Sequence, residues 1–343
     1  MNQTTVGVIG AGRIGRMHTE NLVHHIPEAE VKAVASPHLD EDWAEGLGIP
    51  NRLTDNSAVF DDPEIEAVVI TAPSGLHSEL IQQAAAAGKH VFCEKPIGFE
   101  DGPIEDAIAA ARTAAVQLQV GFNRRFDPDI CALADAVRGG EIGELHGLRV
   151  INRDPSSPPI EFVKRSGGLF FDFAIHDFDT VRFLSGSEIE EVYAARAVLI
   201  DPKIGDAGDV DTAITSLRLT NGALCVIDNS RQARYGYDQR FEAFGTGGNL
   251  VVDNTRPTIK ESFLENGVFT DLPPENFVTR YRDAFIAELA AFVKAVQNQT
   301  GVAVSAEDAL AAVRVARAAK LSADENRPVR LVDAASTAGG ASR

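Results

Sequence analysis

Val6-Gly7-Val8-Ile9-Gly10-Ala11-Gly12-Arg13-Ile14-Gly15 is a short apolar run that passes directly into a G-x-G-x-x-G pattern and opens a helical pattern over Ile14 to His25. A strand before and a helix after are what give the glycines meaning. Gly10 permits a tight turn, Gly12 lets main chain approach a pyrophosphate, and Gly15 lets helix pack on strand. The helix start at Arg13 and Ile14 turns its N–H groups and positive dipole end to the same point. The stretch therefore reads as a dinucleotide site at the head of an α/β domain.

Outward from it, Val31 to Ala35, Ala67 to Thr71, His90 to Cys93 and Gln117 to Val120 read as further strands. Helical patterns near Trp43 to Leu47, over Ser78 to Ala87 and over Gly102 to Ala115 separate them. Strand and helix in alternation predict a parallel sheet wrapped on both faces, a Rossmann domain over residues 1–121. Where an acidic residue would hold the ribose hydroxyls of NAD, at the end of the second strand, Ser36-Pro37-His38 stands instead. Ser36 can donate to either cofactor, no Arg or Lys follows at once to grip a 2′-phosphate, and Asp40 or Glu41 is close enough in sequence to serve the ribose. NAD is the expected cofactor, with NADP left open.

After Gly121 the pattern changes. A helix at Ile130 to Arg138, a strand at Leu145 to Asn152, a Pro/Ser-rich loop from Asp154 to Pro159 and an apolar helical stretch from Gly167 to Asp179 come first. Strands at Glu191 to Leu199, Thr212 to Leu219, Ala223 to Ser230, Tyr237 to Gly245 and Gly248 to Asp253 follow, with Asn221-Gly222 and Gly247-Gly248 as turns. This predicts a C-terminal α+β domain with a large, mostly antiparallel open sheet over residues 122–333. It closes with helices at Arg280 to Gln297 and Ala306 to Ala323 and a short strand around Val329 to Val332. The small, polar residues 334–343 read as a disordered tail.

A hydrophobic fraction of 44% in 343 residues is enough for two cores. A net charge of -18 at pH 7 argues against nucleic acid or an anionic membrane as partner, because binding phosphates needs a basic surface. Cys93, Cys131 and Cys225 are odd in number and scattered, with no C-x-x-C, so neither a disulfide framework nor a metal site is expected, and a cytoplasmic location is. No charged leader precedes the first strand and no apolar run reaches the length of a membrane span. The expected partner is a small molecule, neutral or locally steered.

Two places carry chemistry. Asp172 and His176 lie four residues apart, a spacing that puts both on one helix face. An imidazole with a carboxylate at hand is the usual construction of a proton-transfer site near neutral pH; the plain alternative is a half-buried His satisfied by a local Asp. Lys95, in Glu94-Lys95-Pro96, follows the strand ending at Cys93, where the carboxyl ends of parallel strands face the cofactor crevice; its plain alternative is a solvated charge. The loop Thr71-Ala72-Pro73-Ser74-Gly75-Leu76-His77 ends the strand before it. Thr71, Pro73, His77, Glu94 and Lys95 thus join Gly10, Gly12, Arg13, Ile14, Gly15 and Ser36 as candidate cofactor residues.

With these motifs in this order, the chain resembles the glucose-fructose oxidoreductase / inositol dehydrogenase (Gfo/Idh/MocA) family over nearly its whole length. Val120-Gly121-Phe122-Asn123-Arg124-Arg125-Phe126-Asp127, His176-Asp177-Phe178-Asp179 and Tyr235-Gly236-Tyr237-Asp238-Gln239 bring it nearest to the inositol dehydrogenase branch. The resemblance implies catalytic roles for Lys95, Asp172 and His176, and substrate contacts at Arg124, Asn152, Asp154 and Tyr237. It also implies NAD(P)-dependent oxidation of a cyclic polyol, myo-inositol foremost, without a metal, and a homo-oligomer, commonly a tetramer, formed through the open sheet. Ser36 departs from the NAD-using pattern. Two other classes share the scaffold: glycosidases that retain bound NAD, and non-catalytic NAD(P)-sensing regulators. Lys95, Asp172 and His176 occurring together speaks for the dehydrogenase.

Overall fold

The computed structural model describes residues 3–331; the expected tail at 334–343 lies outside them. The chain forms two compact units that are not consecutive stretches: residues 1–126 with 283–313, and 127–282 with 314–343. This differs from a division into 1–121 and 122–333. The physical reason lies in the helix Arg282–Asn298, whose Leu289, Phe292, Val293 and Val296 pack in one core with Val6, Val8, Val34, Val69 and Phe92. Residues distant in sequence complete the first core.

In the first unit, β1 (Thr4–Ile9), β2 (Ala29–Ala35), β3 (Asn51–Leu53), β4 (Ala67–Ile70), β5 (His90–Glu94) and β6 (Leu118–Gly121) form an all-parallel sheet in the order β3-β2-β1-β4-β5-β6. Its central strands are apolar on both faces, as helix-covered strands must be; all four residues of β4 are buried. The three-residue β3 is too short to show a period in the sequence. The order reverses between β1 and β4, so the crevice at their carboxyl ends is where a ligand binds in such sheets.

In the second unit, β7 (Leu145–Arg153), β8 (Ile189–Ala197), β9 (Thr212–Leu219), β10 (Leu224–Ser230), β11 (Asp238–Gly245), β12 (Gly248–Val252) and a short β15 (Val329–Arg330) form a sheet in the order β12-β11-β7-β10-β9-β8-β15. All neighbours are antiparallel except β7 and β10. β13 (Glu261–Leu264) and β14 (Gly267–Thr270) make a separate exposed hairpin. Strict alternation of buried and exposed residues along β9 marks one covered and one open face. Tyr193, Ile214, Leu224, Phe244 and Val251 stand exposed on these strands.

Asp172 is not in an α-helix as its spacing to His176 predicts. Leu169–Ala174 forms a π-helical turn, and the α-helix begins at Ile175 and runs to Ser185. Leu169, Phe170, Phe171, Phe173 and Ala174 are all buried. Single π turns recur at functional sites.

Candidate active site

The glycine-rich turn of the first unit fits a dinucleotide for reasons visible atom by atom. Gly10 has φ 100°, and a Cβ on it would stand 2.8 Å from the main chain of Thr71 and Ala72. Gly15 is tighter still, with its Cβ position 2.0 Å from the Gly10 carbonyl oxygen. Nothing stands within 4 Å of a Cβ on Gly12, which leaves the approach to the helix start open. The helix Arg13–His25 begins without a side-chain cap and without an acidic residue in its first turn, so its first N–H groups remain for an anion. Thr71 stitches the turn to β4, its hydroxyl donating to the Gly10 carbonyl at 2.8 Å. Gly15→Ala should therefore lower stability by about 1–3 kcal/mol and weaken dinucleotide binding, as read by thermal unfolding and by titration of the purified protein. An unchanged affinity would show that the turn does not form the cradle.

Ser36 is half-buried at the end of β2, its N–H donating to the Leu53 carbonyl at 2.9 Å. Asp40, the sequence alternative for holding a ribose, is already engaged. Its carboxylate accepts the Trp43 N–H at the start of a short helix and pairs with Arg16 at 3.1 Å, contacts that lower its pKa. His77, expected at the cofactor, is almost fully buried, with Nδ1 2.8 Å from the Pro96 carbonyl and Nε2 2.7 Å from the Ala72 carbonyl. It ties the Thr71–Pro73 loop to the Lys95–Pro96 loop. Burial pushes its pKa down, so the ring is neutral at pH 7 and donates to one of the two carbonyls.

Lys95 is half-buried directly after β5, and its peptide N–H donates to Glu94 Oε2 at 3.2 Å. Arg124, expected at the substrate, sits with Asn123 in a 3₁₀ turn of the first unit and is 2% exposed.

In the second unit, Gly167 and Gly168, with φ 84° and 83°, launch the π turn. Asp209 seals this entry: a Cβ on Gly168 would meet its Oδ1 at 2.6 Å, and that oxygen accepts the Leu169 N–H at 2.9 Å. The other Asp209 oxygen is 3.5 Å from Arg231 Nη2, while Arg231 Nη1 is 3.4 Å from Asp172 Oδ2. Arg231 is 1% exposed and its guanidinium lies over the Phe173 ring at 5.8 Å. Asp172 and His176 are each only half-buried, and thus remain within reach of a ligand on this unit.

Beside them, Asp177 is fully buried, and its Oδ2 accepts from Asn152 Nδ2 at 2.9 Å and Asn229 Nδ2 at 2.8 Å. The two asparagines are register partners on β7 and β10, so the sheet itself sets the anchor of the helix that carries His176. Asn152, expected at the substrate, thus has its amide nitrogen committed inside the unit. Asp154 is half-buried where the chain leaves β7, its main chain bonded to Ser230 and Ala233. Tyr237 is 3% exposed, and its hydroxyl donates to Gln239 Oε1 at 3.2 Å.

The motifs did not point to Arg231, Asp209 or Asn229. Each contributes through a contact between residues at least 22 positions apart, which no local pattern announces.

Comparisons with known proteins assign both parts of the chain to one family. Residues 4–122 match the family model described as an oxidoreductase family with an NAD-binding Rossmann fold, and residues 130–251 match the GFO/IDH/MocA C-terminal domain. The chain belongs to the Gfo/Idh/MocA family of NAD-dependent oxidoreductases. It is 44% identical to myo-inositol 2-dehydrogenase of Thermotoga maritima, covering 95% of this chain and 98% of that one, and 41% identical to an inositol 2-dehydrogenase of Rhizobium meliloti over 95% and 98%. Its structure superposes with a TM-score of 0.91 on scyllo-inositol dehydrogenase of Lactobacillus casei with bound NAD(H) and scyllo-inositol, at 32% identity, covering 96% and 100% of the two chains. Among the described residues no helix is long and apolar enough to cross a membrane.

Proposed function

We propose that this protein oxidises myo-inositol at one secondary alcohol to the ketone, with NAD as the oxidant. The observation that carries this reading is the half-buried Asp172 and His176 backed by the buried Arg231, in a chain alike over almost its full length to myo-inositol 2-dehydrogenase. Bound NAD supplies the hydride acceptor. His176 takes the hydroxyl proton, and Asp172, steadied by Arg231, holds the imidazole in the tautomer that can accept it. Lys95 donates a hydrogen bond to the reacting oxygen and stabilises the alkoxide charge that develops there. Glu94, next to it, orients the dinucleotide, and the uncapped turn at Gly12 receives the pyrophosphate. Arg124, Asp154 and Tyr237 act on the polyol or on the residues that face it.

Ser36 in place of an acidic residue does not repel a 2′-phosphate, so NADP should be used, at lower efficiency than NAD. The exposed apolar residues of the open sheet, Ile214, Leu224 and Phe244 among them, are the surface through which copies assemble, as a tetramer. Cytoplasmic location accords with three cysteines, Cys93, Cys131 and Cys225, that form no disulfide.

The test is a survey of nicotinamide reduction with myo-inositol, scyllo-inositol, chiro-inositol and glucose, each with NAD and with NADP. The highest kcat/KM is expected for myo-inositol with NAD. A higher value for scyllo-inositol would move the substrate to that isomer, and bound cofactor with no turnover across the panel would leave a regulator.

A further inference from the structure

Three titratable side chains from distant parts of the chain meet inside the first unit. His18 from the helix Arg13–His25, Glu94 from the end of β5 and Glu288 from the helix Arg282–Asn298 bring one nitrogen or oxygen each to within 4.8 Å of one another. His18 and Glu288 have no solvent exposure. His18 Nε2 is 2.7 Å from Glu94 Oε1, and because a carboxylate only accepts, Nε2 carries the proton. Glu94 Oε2 accepts the Lys95 N–H, so this carboxylate is held by the core on one side and by the Lys95 main chain on the other. Gly121 leaves it just enough room, a Cβ there falling 3.1 Å from Oε1.

Glu288 is in a different position. Both of its carboxyl oxygens are buried without a hydrogen-bond partner, and no cation pairs with it among the described residues. The charge that acts on it is that of Glu94, of the same sign. The cluster is walled by aromatic rings: Phe92 and Phe285 meet the His18 ring edge-to-face at 5.4 and 5.7 Å, and Phe292 lies tilted against Phe92 at 5.9 Å. Gln119 of β6 donates to the Glu288 main-chain carbonyl and leaves the carboxyl alone. An ionised carboxyl here has nothing to offset its lost hydration, whereas a neutral acid loses far less.

We propose that Glu288 is a neutral acid which, with His18, forms a buried proton-holding cluster that positions the Glu94 carboxylate beside Lys95 for the dinucleotide. The last step rests on the reading of Glu94 as a cofactor residue given above. His18 and Glu288 are positioning residues. Burial, reinforced by the Glu94 charge, raises the Glu288 pKa well above the carboxyl range. An acid raised on folding keeps a proton that the unfolded chain has released. Its stabilising contribution is complete below the ordinary carboxyl pKa and is lost as pH climbs towards the folded value.

Two measurements test this. The first needs no cofactor: the melting temperatures of wild type and Glu288→Gln are compared from roughly pH 6 to roughly pH 9. Gln is neutral throughout, so the variant should gain on wild type by several degrees as pH rises. A constant difference overturns the neutral acid, and so does finding one equivalent of tightly held zinc or manganese in the purified protein. The second is kinetic. His18→Ala should raise the KM for the dinucleotide about tenfold, the size expected for one hydrogen bond to a charged group, with little change in kcat or in the polyol KM. His18→Gln, which keeps a donor, should recover most of the loss. An unchanged dinucleotide KM in His18→Ala, where Glu94→Gln raises it, overturns the positioning role. An unchanged KM in both refutes instead the cofactor role of Glu94.

Discussion

His176→Ala is expected to lower turnover of the polyol by about 10²- to 10⁴-fold, the usual cost of removing a general base, while dinucleotide affinity and melting temperature stay close to wild type. The local fold supports this separation. The position holds its main chain through the carbonyl oxygen of residue 176, which accepts the Thr180 hydroxyl at 2.7 Å, and through Asp177, fixed by Asn152 and Asn229. None of these contacts uses the imidazole. The half-buried ring can be removed without opening the core, so a large loss of rate must come from the chemistry. Stopped-flow measurement of the first turnover separates that loss from slow product release. Activity within a few-fold of wild type would exclude His176 as the base.

Much of this arrangement is legible in the sequence, and the reason differs from place to place. The turn Gly10 to Gly15 is readable because its glycines lie close together in sequence between a strand and a helix, and at Gly15 the steric demand is itself local, a Cβ there meeting the Gly10 carbonyl oxygen at 2.0 Å. The strands are readable where they are long enough to show a period. β9 is observed at the residues expected for it, Thr212–Leu219, whereas β3 and the exposed hairpin β13–β14 give too little signal.

The spacing of Asp172 and His176 announces a pair but not its backbone. The i, i+4 argument assumes an α-helix, whereas Leu169 to Ala174 form a π turn and the α-helix starts only at Ile175. Less legible is whether a polar side chain faces a ligand or the interior. Asn152 and His77 are the residue types that bind hydroxyls and phosphates, and within their units the Asn152 amide nitrogen donates to Asp177 while the His77 ring nitrogens lie against two main-chain carbonyls. Burial of a polar residue depends on partners far along the chain. Glu288 shows the limit: in sequence it is one acidic residue on an amphipathic helix, and only the fold places it against His18 and Glu94.

Arg231→Met should have the largest effect on stability, about 3–5 kcal/mol, because removing one member of a buried ion pair leaves its partner's charge uncompensated. Arg231 is 1% exposed, and it serves two carboxylates at once, Asp172 with 19% side-chain exposure and Asp209 with 10%. Asp209 in turn holds the entry of the π turn through the Leu169 N–H. The loss should therefore appear twice, as a lower urea midpoint and as a lower kcat/KM, since the segment carrying Asp172 and His176 loses its support. Arg231→Lys keeps the charge but not the planar fork that reaches both carboxylates, and should fall between. Adding Asp209→Asn to Arg231→Met removes one of the stranded charges and should return part of the stability without returning turnover, because Asp172 remains unsupported. A midpoint unchanged in Arg231→Met would mean that contacts at 3.4 and 3.5 Å contribute no more than exposed ion pairs do. The orientation of Asp172 would then rest on the packing of the buried phenylalanines around it, and Phe173→Leu, beneath the guanidinium, would be the substitution that lowers turnover.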